Sequence, residues 1–464
     1  MGARTTCTPS IIGGIINVEA QLEQQVAKKG LTVGVNDDIS FGQSLILGLQ
    51  HVLAMDVYVP PFIIATAIGM SSPDAASLIQ STFLGAGIAS LIQVLFFLKL
   101  PVCQGPSFVP IGAIVGIYLG SGGMASVLGS SIAGALAITL LGFTGIYKHI
   151  VRHYIPTIVS GTIIMIVGLT LLPSAFNSNI YVASEALSIN QNILLATITA
   201  ATLILFSMLG EYFTNLGKVF RISSVIIALA IGSLAASFMG GLDFSPVAEA
   251  SWLSMPKLAF FDYGLTFDVS AILTMLIIYM VLLAETTGTW YAVSAVTGED
   301  VSDEQINNGV IGEGIGCLLA ALVGTTPVTG YSTNAGIISI TGVASKKVFV
   351  MASVWFILFS FVGKLSALIH AIPSSVIGGV FAVVCVIIML SGFRVIKNEE
   401  FTERELYIIG VPLIVAIGLL FMPAEVKQSA PQFIQYLLDS PIALSAIVAV
   451  VMNKLIPKEK IVRS

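Results

Sequence analysis

Apolar stretches of about 20 residues follow one another from Phe41 to Met452, joined by short polar segments, and each is long enough to cross the hydrocarbon core of a bilayer as a helix. Charged residues make up only 10% of the 464 positions and hydrophobic ones 56%, where a soluble domain keeps about 25% charged residues to face water. The chain is therefore an all-α polytopic membrane protein, and nothing remains for a second soluble domain. The formal net charge is -5, with Lys and Arg scattered through short joints, so a nucleic-acid partner has no electrostatic footprint. Cys7, Cys103, Cys317 and Cys385 stand far apart with no paired spacing, which suggests neither a disulfide framework nor a zinc site.

Ahead of the first span, Ile11, Ile15, Val18, Leu22 and Val26 recur at helical spacing and Gly30 follows as a stop. This pattern predicts an amphipathic helix that lies on the membrane or packs against the body. Fourteen candidate spans can be read from Phe41 to Met452, the first ending near residue 58, the third near 106–119 and the tenth near 332–342. With the N-terminus inside, 17 of the 20 Lys and Arg fall on the inner side, Lys257 and Lys427 fall outside, and Lys364 lies near a span end. That asymmetry places both termini in the cytoplasm of a multi-pass protein of the cell (inner or plasma) membrane.

"HYIPTIVSGT" from His153 and "HAIPSSVIGG" from His370 share His, Ile, Pro, Val and Gly in register, and Gly105 and Ser107 of "QGPSF" echo Gly330 and Ser332 of "TGYST". Two related halves of seven spans each are implied. Because seven is odd, the second half enters the membrane in the opposite sense, which makes an inverted repeat. The alternative is chance similarity in low-diversity apolar sequence.

The third and tenth spans occupy matching places in the halves, and both are irregular: one carries Pro110 and Gly112, the other is too short to cross as a helix. Irregular backbone inside a membrane is tolerated where it lines a cavity. The β-branched run "GIISIT" predicts an extended stretch in the tenth span, and backbone N–H groups at Phe108 and Ser332 are expected to face a ligand. Gln50 and His51, Glu285, Glu313 and Asn334 bring polar groups to the same neighbourhood. An ionised Glu at the bilayer centre costs about 3 kcal/mol, so it calls for a partner, a proton or a function. Glu285 is read as functional, against a carboxyl that merely bonds a neighbouring helix, and Glu313 and His51 allow either reading. Thr289, one turn from Glu285, shares its face. Asp56 is read as an interfacial residue at the outer end of the first span, and Lys364 as snorkelling to an interface.

With these residues in hand the chain resembles the nucleobase/ascorbate transporter family, which includes bacterial uracil and xanthine permeases. "GLQHVLAM" is similar to the family's first-span signature, "AETTG" to its eighth-span Glu segment and "TNAGIISITGVASKK" to its ninth-to-tenth-span signature. The resemblance implies fourteen spans with short extended strands in broken spans 3 and 10, a core domain (41–146 and 268–371) and a gate domain (147–267 and 372–453). It also implies a cytoplasmic segment at 1–40, a tail at 454–464, dimerisation through the gate, and movement of the core against the gate. By the same resemblance Glu285 grips ring N–H groups, His51 supports the site, and Phe108 contributes an aromatic and backbone contact beside Ser107. Tyr331, Ser332 and Thr333 fall on the strand that meets the base, and Glu313 matches an acidic position of xanthine and urate carriers. Two residues depart from the pattern: Thr333, where Gln, Glu or Pro is usual, and Thr289, where uracil permeases carry His.

The expectation is a proton-coupled importer of a nucleobase, an oxidised purine such as xanthine or urate, with uracil as the nearer alternative. Glu285 can donate when protonated and accept when ionised, so cargo and proton occupancy are linked. No cofactor or metal is implied, and the coupling ion is the proton, with sodium the open alternative. A sulfate-permease type of anion transporter is the rival of the same architecture, disfavoured by a carboxylate facing the site. An enzyme is disfavoured because no HExxH or GxSxG motif is present and the four histidines show no metal spacing.

Overall fold

Two three-residue strands, placed where the sequence is least able to sustain a membrane helix, organise the molecule. The computed structural model describes residues 31–184, 186–213, 217–397 and 399–457; the amphipathic helix expected at 11–26 lies outside them. Strand β1, Gln104–Pro106, pairs antiparallel with β2, Val328–Gly330, in the register Gln104 to Gly330 and Pro106 to Val328. The Ser107 N–H donates to Pro327 O at 2.8 Å and the Tyr331 N–H to Cys103 O at 3.0 Å, extending the ladder beyond both ends. Each broken span thus finds backbone partners in the other, which is what non-helical chain at membrane depth requires.

A helix follows each strand: Ile111–Ile117 after β1, widening into a π-turn at Tyr118–Gly122, and Thr333–Thr341 after β2. The extended run expected at "GIISIT" is therefore helical. β-Branched residues favour a strand only where a pairing edge exists, and the edge is used up by Val328–Gly330. Tyr331, Ser332 and Thr333 accordingly lie beyond the strand, with Ser332 at the N-cap and Thr333 as the first helical residue.

Among the described residues, eight helices are long and apolar enough to cross a bilayer, and Ile111–Gly120, Ser223–Phe238 and Pro441–Leu455 are shorter apolar ones. The first crossing differs from the expected one. It runs over Phe41–Ala67 as two helices, Phe41–Ala54 and Val59–Ala67, separated at Met55–Tyr58. Pro60 and Pro61 look like terminators in the sequence, but they occupy the first turn of the second helix, where a missing N–H leaves nothing unpaired. Asp56 consequently lies between the two helices of this candidate crossing rather than at its end, and is only 7% exposed.

The helices Thr157–Ala175 and Ser374–Ile396 each begin directly after a proline, Pro156 and Pro373. They run antiparallel in close contact: a Cβ added to Gly161 would stand 2.9 Å from Gly392 O, and one on Gly168 2.5 Å from Met389 N. Burial is uneven across the molecule, since 72% of the Ser72–Leu95 span is buried within the chain but only 28% of Ile189–Gly210. Residues 32–39 lie against the turn after the Thr333–Thr341 helix. The Ala344 N–H donates to Val33 O and the Lys346 N–H to Val35 O, both at 3.0 Å. Lys347 Nζ donates to Asp38 Oδ1 at 2.7 Å, and that hydrogen bond holds the exposed Asp38 carboxyl below its ordinary range. Lys364 lies near the start of the Gly363–Ala371 helix, where its ammonium donates to Val247 O at 2.7 Å and stands over the Trp252 ring.

Candidate functional site

The helix Val269–Thr297 carries Glu285 past the two strands. Every residue from Val281 to Trp290 is buried except Glu285, which is half-buried. Ser107 Oγ, one residue beyond β1, donates to Glu285 Oε2 at 2.8 Å, and the Val109 N–H donates to Ser107 Oγ at 3.1 Å. The first broken span thereby orients the acid.

Its neighbours on the helix hold the other strand. The Gly330 N–H donates to Thr286 Oγ1 and Thr289 Oγ1 donates to Gly330 O, both at 3.0 Å. Thr289 is buried and its hydroxyl clamps the end of β2. A serial pattern of threonines around a carboxylate gave no hint of this division of labour, because it depends on which chain lies across the helix.

Tyr331 spans the sheet: its O–H donates to Pro106 O at 3.0 Å, and its ring lies where a side chain on Gly105 would be. Asn334 then ties three segments together. Its Oδ1 accepts from the Cys103 N–H at 2.8 Å, its Nδ2 lies 3.3 Å from His51 Nδ1, and its own N–H donates to Tyr331 O. His51 is buried, with its ring centroid 4.5 Å from that of Phe349, so it braces Asn334 from below the site. Gln50, half-buried beside it, has no part in this network.

Phe108 is buried, and its ring stacks on Phe381 of the Ser374–Ile396 helix at 5.9 Å and 11°. Both broken spans turn from strand to helix at this level, so two helix N-termini point at the region beside Glu285. No described residue accepts from the N–H groups of Phe108, Ser332 or Thr333. Ser332 and Thr333 are half-buried, and Thr333 Oγ1 has no partner among the described residues. Free N–H groups at helix starts carry partial positive charge and favour an acceptor such as a ring carbonyl.

Glu313 lies behind this layer, fully buried. Gln93 Nε2 donates to Glu313 Oε2 at 3.0 Å and to Gly309 O at 2.8 Å, and Thr286, Gln104 and Glu285 are close by. Gln93 and Gln104 are residues that sequence reasoning passed over. The signal was available for Gln93, an amide alone within the apolar run "LIQVLFF". Gln104 looked like loop sequence until its strand was placed. A cavity of about 540 Å³ opens between Gly112, Gly116, Thr170 and Asp439, on the helix that follows β1.

Residues 42–425 match the family profile described as Permease family. The uric acid permease PucK of Bacillus subtilis (strain 168) is 31% identical over 391 residues, 82% of this chain and 88% of that protein. The xanthine permease XanP of Escherichia coli (strain K12) is 30% identical over 464 residues, 95% of this chain and 98% of that one. Among solved structures, the transmembrane domain of the cyanobacterium bicarbonate transporter BicA matches with a TM-score of 0.59 at 16% identity, covering 90% of this chain and all (100%) of that one. The murine anion transporter Slc26a9 in its inward-facing state matches with a TM-score of 0.59 at 12% identity, over 98% and 73% of the two chains. At those identities the likeness is one of fold.

Proposed function

Since the chain belongs to the xanthine/uracil permease family, a family of multi-pass membrane transporters and not of enzymes, we propose that it carries a nucleobase, an oxidised purine such as xanthine or urate, into the cell together with a proton. The observation that bears most weight is Glu285, a carboxylate oriented by Ser107 and the one half-buried residue within an otherwise buried stretch of helix. Next to it stand the free N–H groups of Phe108, Ser332 and Thr333. A carboxylate accepts from a ring N–H and the helix N-termini donate to the adjacent ring carbonyl, so the pair complements the HN–C=O edge of an oxopurine. Glu285 takes up the coupling proton, and cargo binding is linked to its protonation.

In this reading the core is 41–146 with 268–371 and the gate 147–267 with 372–453, and fourteen crossings are reached by counting the short and broken helices. The antiparallel pairing of β1 with β2, and of the helices following Pro156 and Pro373, is the relation that an inverted repeat with a pseudo-two-fold axis in the membrane plane predicts. The Phe108–Phe381 stack is the contact that the core breaks and remakes as it moves against the gate. The thin burial of Ile189–Gly210 fits a gate surface that a second copy covers, and both termini are cytoplasmic. Sulfate has no N–H to donate to the Glu285 carboxylate and only repels it, whereas an oxopurine offers ring N–H groups to it.

The test is uptake into proteoliposomes with the pH gradient as the only driving force. Xanthine or urate is expected to accumulate and to raise the melting temperature where sulfate does not, and Glu285→Gln is expected to abolish accumulation. Undiminished pH-driven uptake by that variant removes Glu285 from its role. Stabilisation by sulfate alone favours the anion reading.

A further inference from the structure

With both termini cytoplasmic, 17 of the 20 Lys and Arg fall on the inner side, so a lysine on the outer side runs against the charge bias. Lys427 is one of these. It does not stand in open water: its side chain is 22% exposed, and Nζ lies 3.2 Å from Asp439 Oδ1, on a side chain that is 39% exposed. Among the described residues Nζ bonds Asp439 Oδ1 alone, which leaves further N–H groups of the ammonium and Asp439 Oδ2 available to a ligand. A partly exposed ion pair adds little to stability, so support of the fold is a weak reason to keep it.

Both members of the pair line the cavity of about 540 Å³, a size at which small-molecule sites are common. Ile63 of the first crossing and Ile111, Gly112 and Gly116 of the helix that follows β1 line it too. The glycines keep that helix free of side chains beside the pair, where a Cβ on Gly116 would stand 3.6 Å from Asp439 Oδ2. The pair is firmly mounted. Gln435 Nε2 donates to Gln428 O at 3.1 Å and to Ala430 O at 2.6 Å, and the Asp439 N–H donates to Gln435 O at 2.8 Å. The turn carrying Lys427 and the helix end carrying Asp439 are thereby tied to one another. The wall elements Ile111–Ile117, Gln432–Leu438 and Pro441–Leu455 also pack against Val269–Thr297, the helix of Glu285. The cavity therefore neighbours the site built on Glu285 while containing none of its residues.

We propose that this cavity is a second, separate binding site for an oxopurine, filled from the outer side before cargo reaches Glu285: Asp439 accepts a ring N–H and Lys427 donates to the neighbouring ring carbonyl. This rests on the nucleobase reading, and no single molecule has to touch both sites. An acceptor and a donor 3.2 Å apart match the adjacent N–H and C=O of such a ring. The ammonium also suits a ring that has lost a proton, as urate has near neutral pH, because it offsets the repulsion from Asp439.

Equilibrium binding of radiolabelled urate and xanthine to the purified full-length protein in lipid nanodiscs, with empty nanodiscs subtracted, tests this. Two components are expected, a tight one lost in Glu285→Gln and a weaker one that survives it. Lys427→Met removes the ammonium and is expected to weaken the second component about tenfold, the scale of a hydrogen bond to a charged group. Asp439→Asn is expected to weaken it several-fold, and both variants to leave the tight component within about twofold. Asp439→Asn is isosteric and carries the test if Lys427→Met does not fold. A single component in the unaltered protein, or a weak component that both variants leave unchanged, overturns the proposal while the transport reading stands. Displacement of the weak component by sulfate also overturns it, since Lys427 is then a plain anion site. If the unaltered protein binds neither urate nor xanthine, the proposal falls together with the reading on which it rests.

Discussion

The two broken spans share one small sheet, yet they are equipped differently. The first directs its hydroxyl and ring to neighbours: Ser107 bonds Glu285, the Val109 N–H bonds Ser107, and Phe108 is stacked on Phe381, while the Phe108 N–H and the Gln104 side-chain amide have no hydrogen-bond partner among the described residues. Its helix also lies tight against the chain opposite, since a Cβ on Gly112 would come within 2.7 Å of Asp439 O. The second keeps groups in reserve. Thr333 Oγ1 is without a partner among the described residues, Ser332 and Thr333 are half-buried, and a Cβ on Gly336 would meet nothing within 4 Å. The two paired segments have thus divided the work, one supporting the acid, the other leaving a threonine hydroxyl unbonded and space beside Gly336.

Glycine substitutions probe that contrast most sharply. Gly105→Ala forces a methyl into the Tyr331 ring, which cannot retreat while its hydroxyl is bonded to Pro106 O. The expected loss is about 3 kcal/mol, the upper range for overpacking, seen as a lower melting temperature in detergent. An unchanged melting temperature would show that the first strand is not clamped.

Asn334→Ala removes the acceptor of the Cys103 N–H and the link to His51, and an unsatisfied buried donor costs about 1–3 kcal/mol. Stability is expected to fall by that amount, and His51→Ala combined with it to add less than its own separate effect, because the two act in one network. Strict additivity of the two melting shifts would deny the coupling.

Gly336→Ala has the smallest expected effect and the opposite sign. It replaces glycine inside a helix where the new methyl meets open space, and a gain of up to about 1 kcal/mol follows from helix propensity. A destabilised Gly336→Ala would mean that this face of the second span is packed, and the contrast between the two spans would disappear.

Much of the architecture was legible from residues alone. The apolar runs required crossings, Pro110 and the short "TNAGIISIT" segment marked the irregular ones, and Glu285 stood out as a charge in hydrocarbon. Three features were not legible. β-Branched residues in "GIISIT" suggested a strand, but pairing partners decide strands and the partner edge ended at Gly330. Asp56 looked terminal because two prolines follow it, whereas a new helix starts across them. Thr289 looked like a cavity residue because it shares a face with Glu285, and only the position of β2 shows that its hydroxyl is taken by Gly330 O.

The sequence by itself determined that this is a helical membrane protein, that its third and tenth spans are irregular, and that Glu285 and Glu313 lie within apolar runs, because hydrophobic transfer and backbone satisfaction act on each segment separately. Which of those side chains are bonded, and which are left open, was decided by the tertiary structure. A hydrogen bond between residues 178 positions apart, as between Ser107 and Glu285 at 2.8 Å, exists only once the first broken span has been laid against the Val269–Thr297 helix.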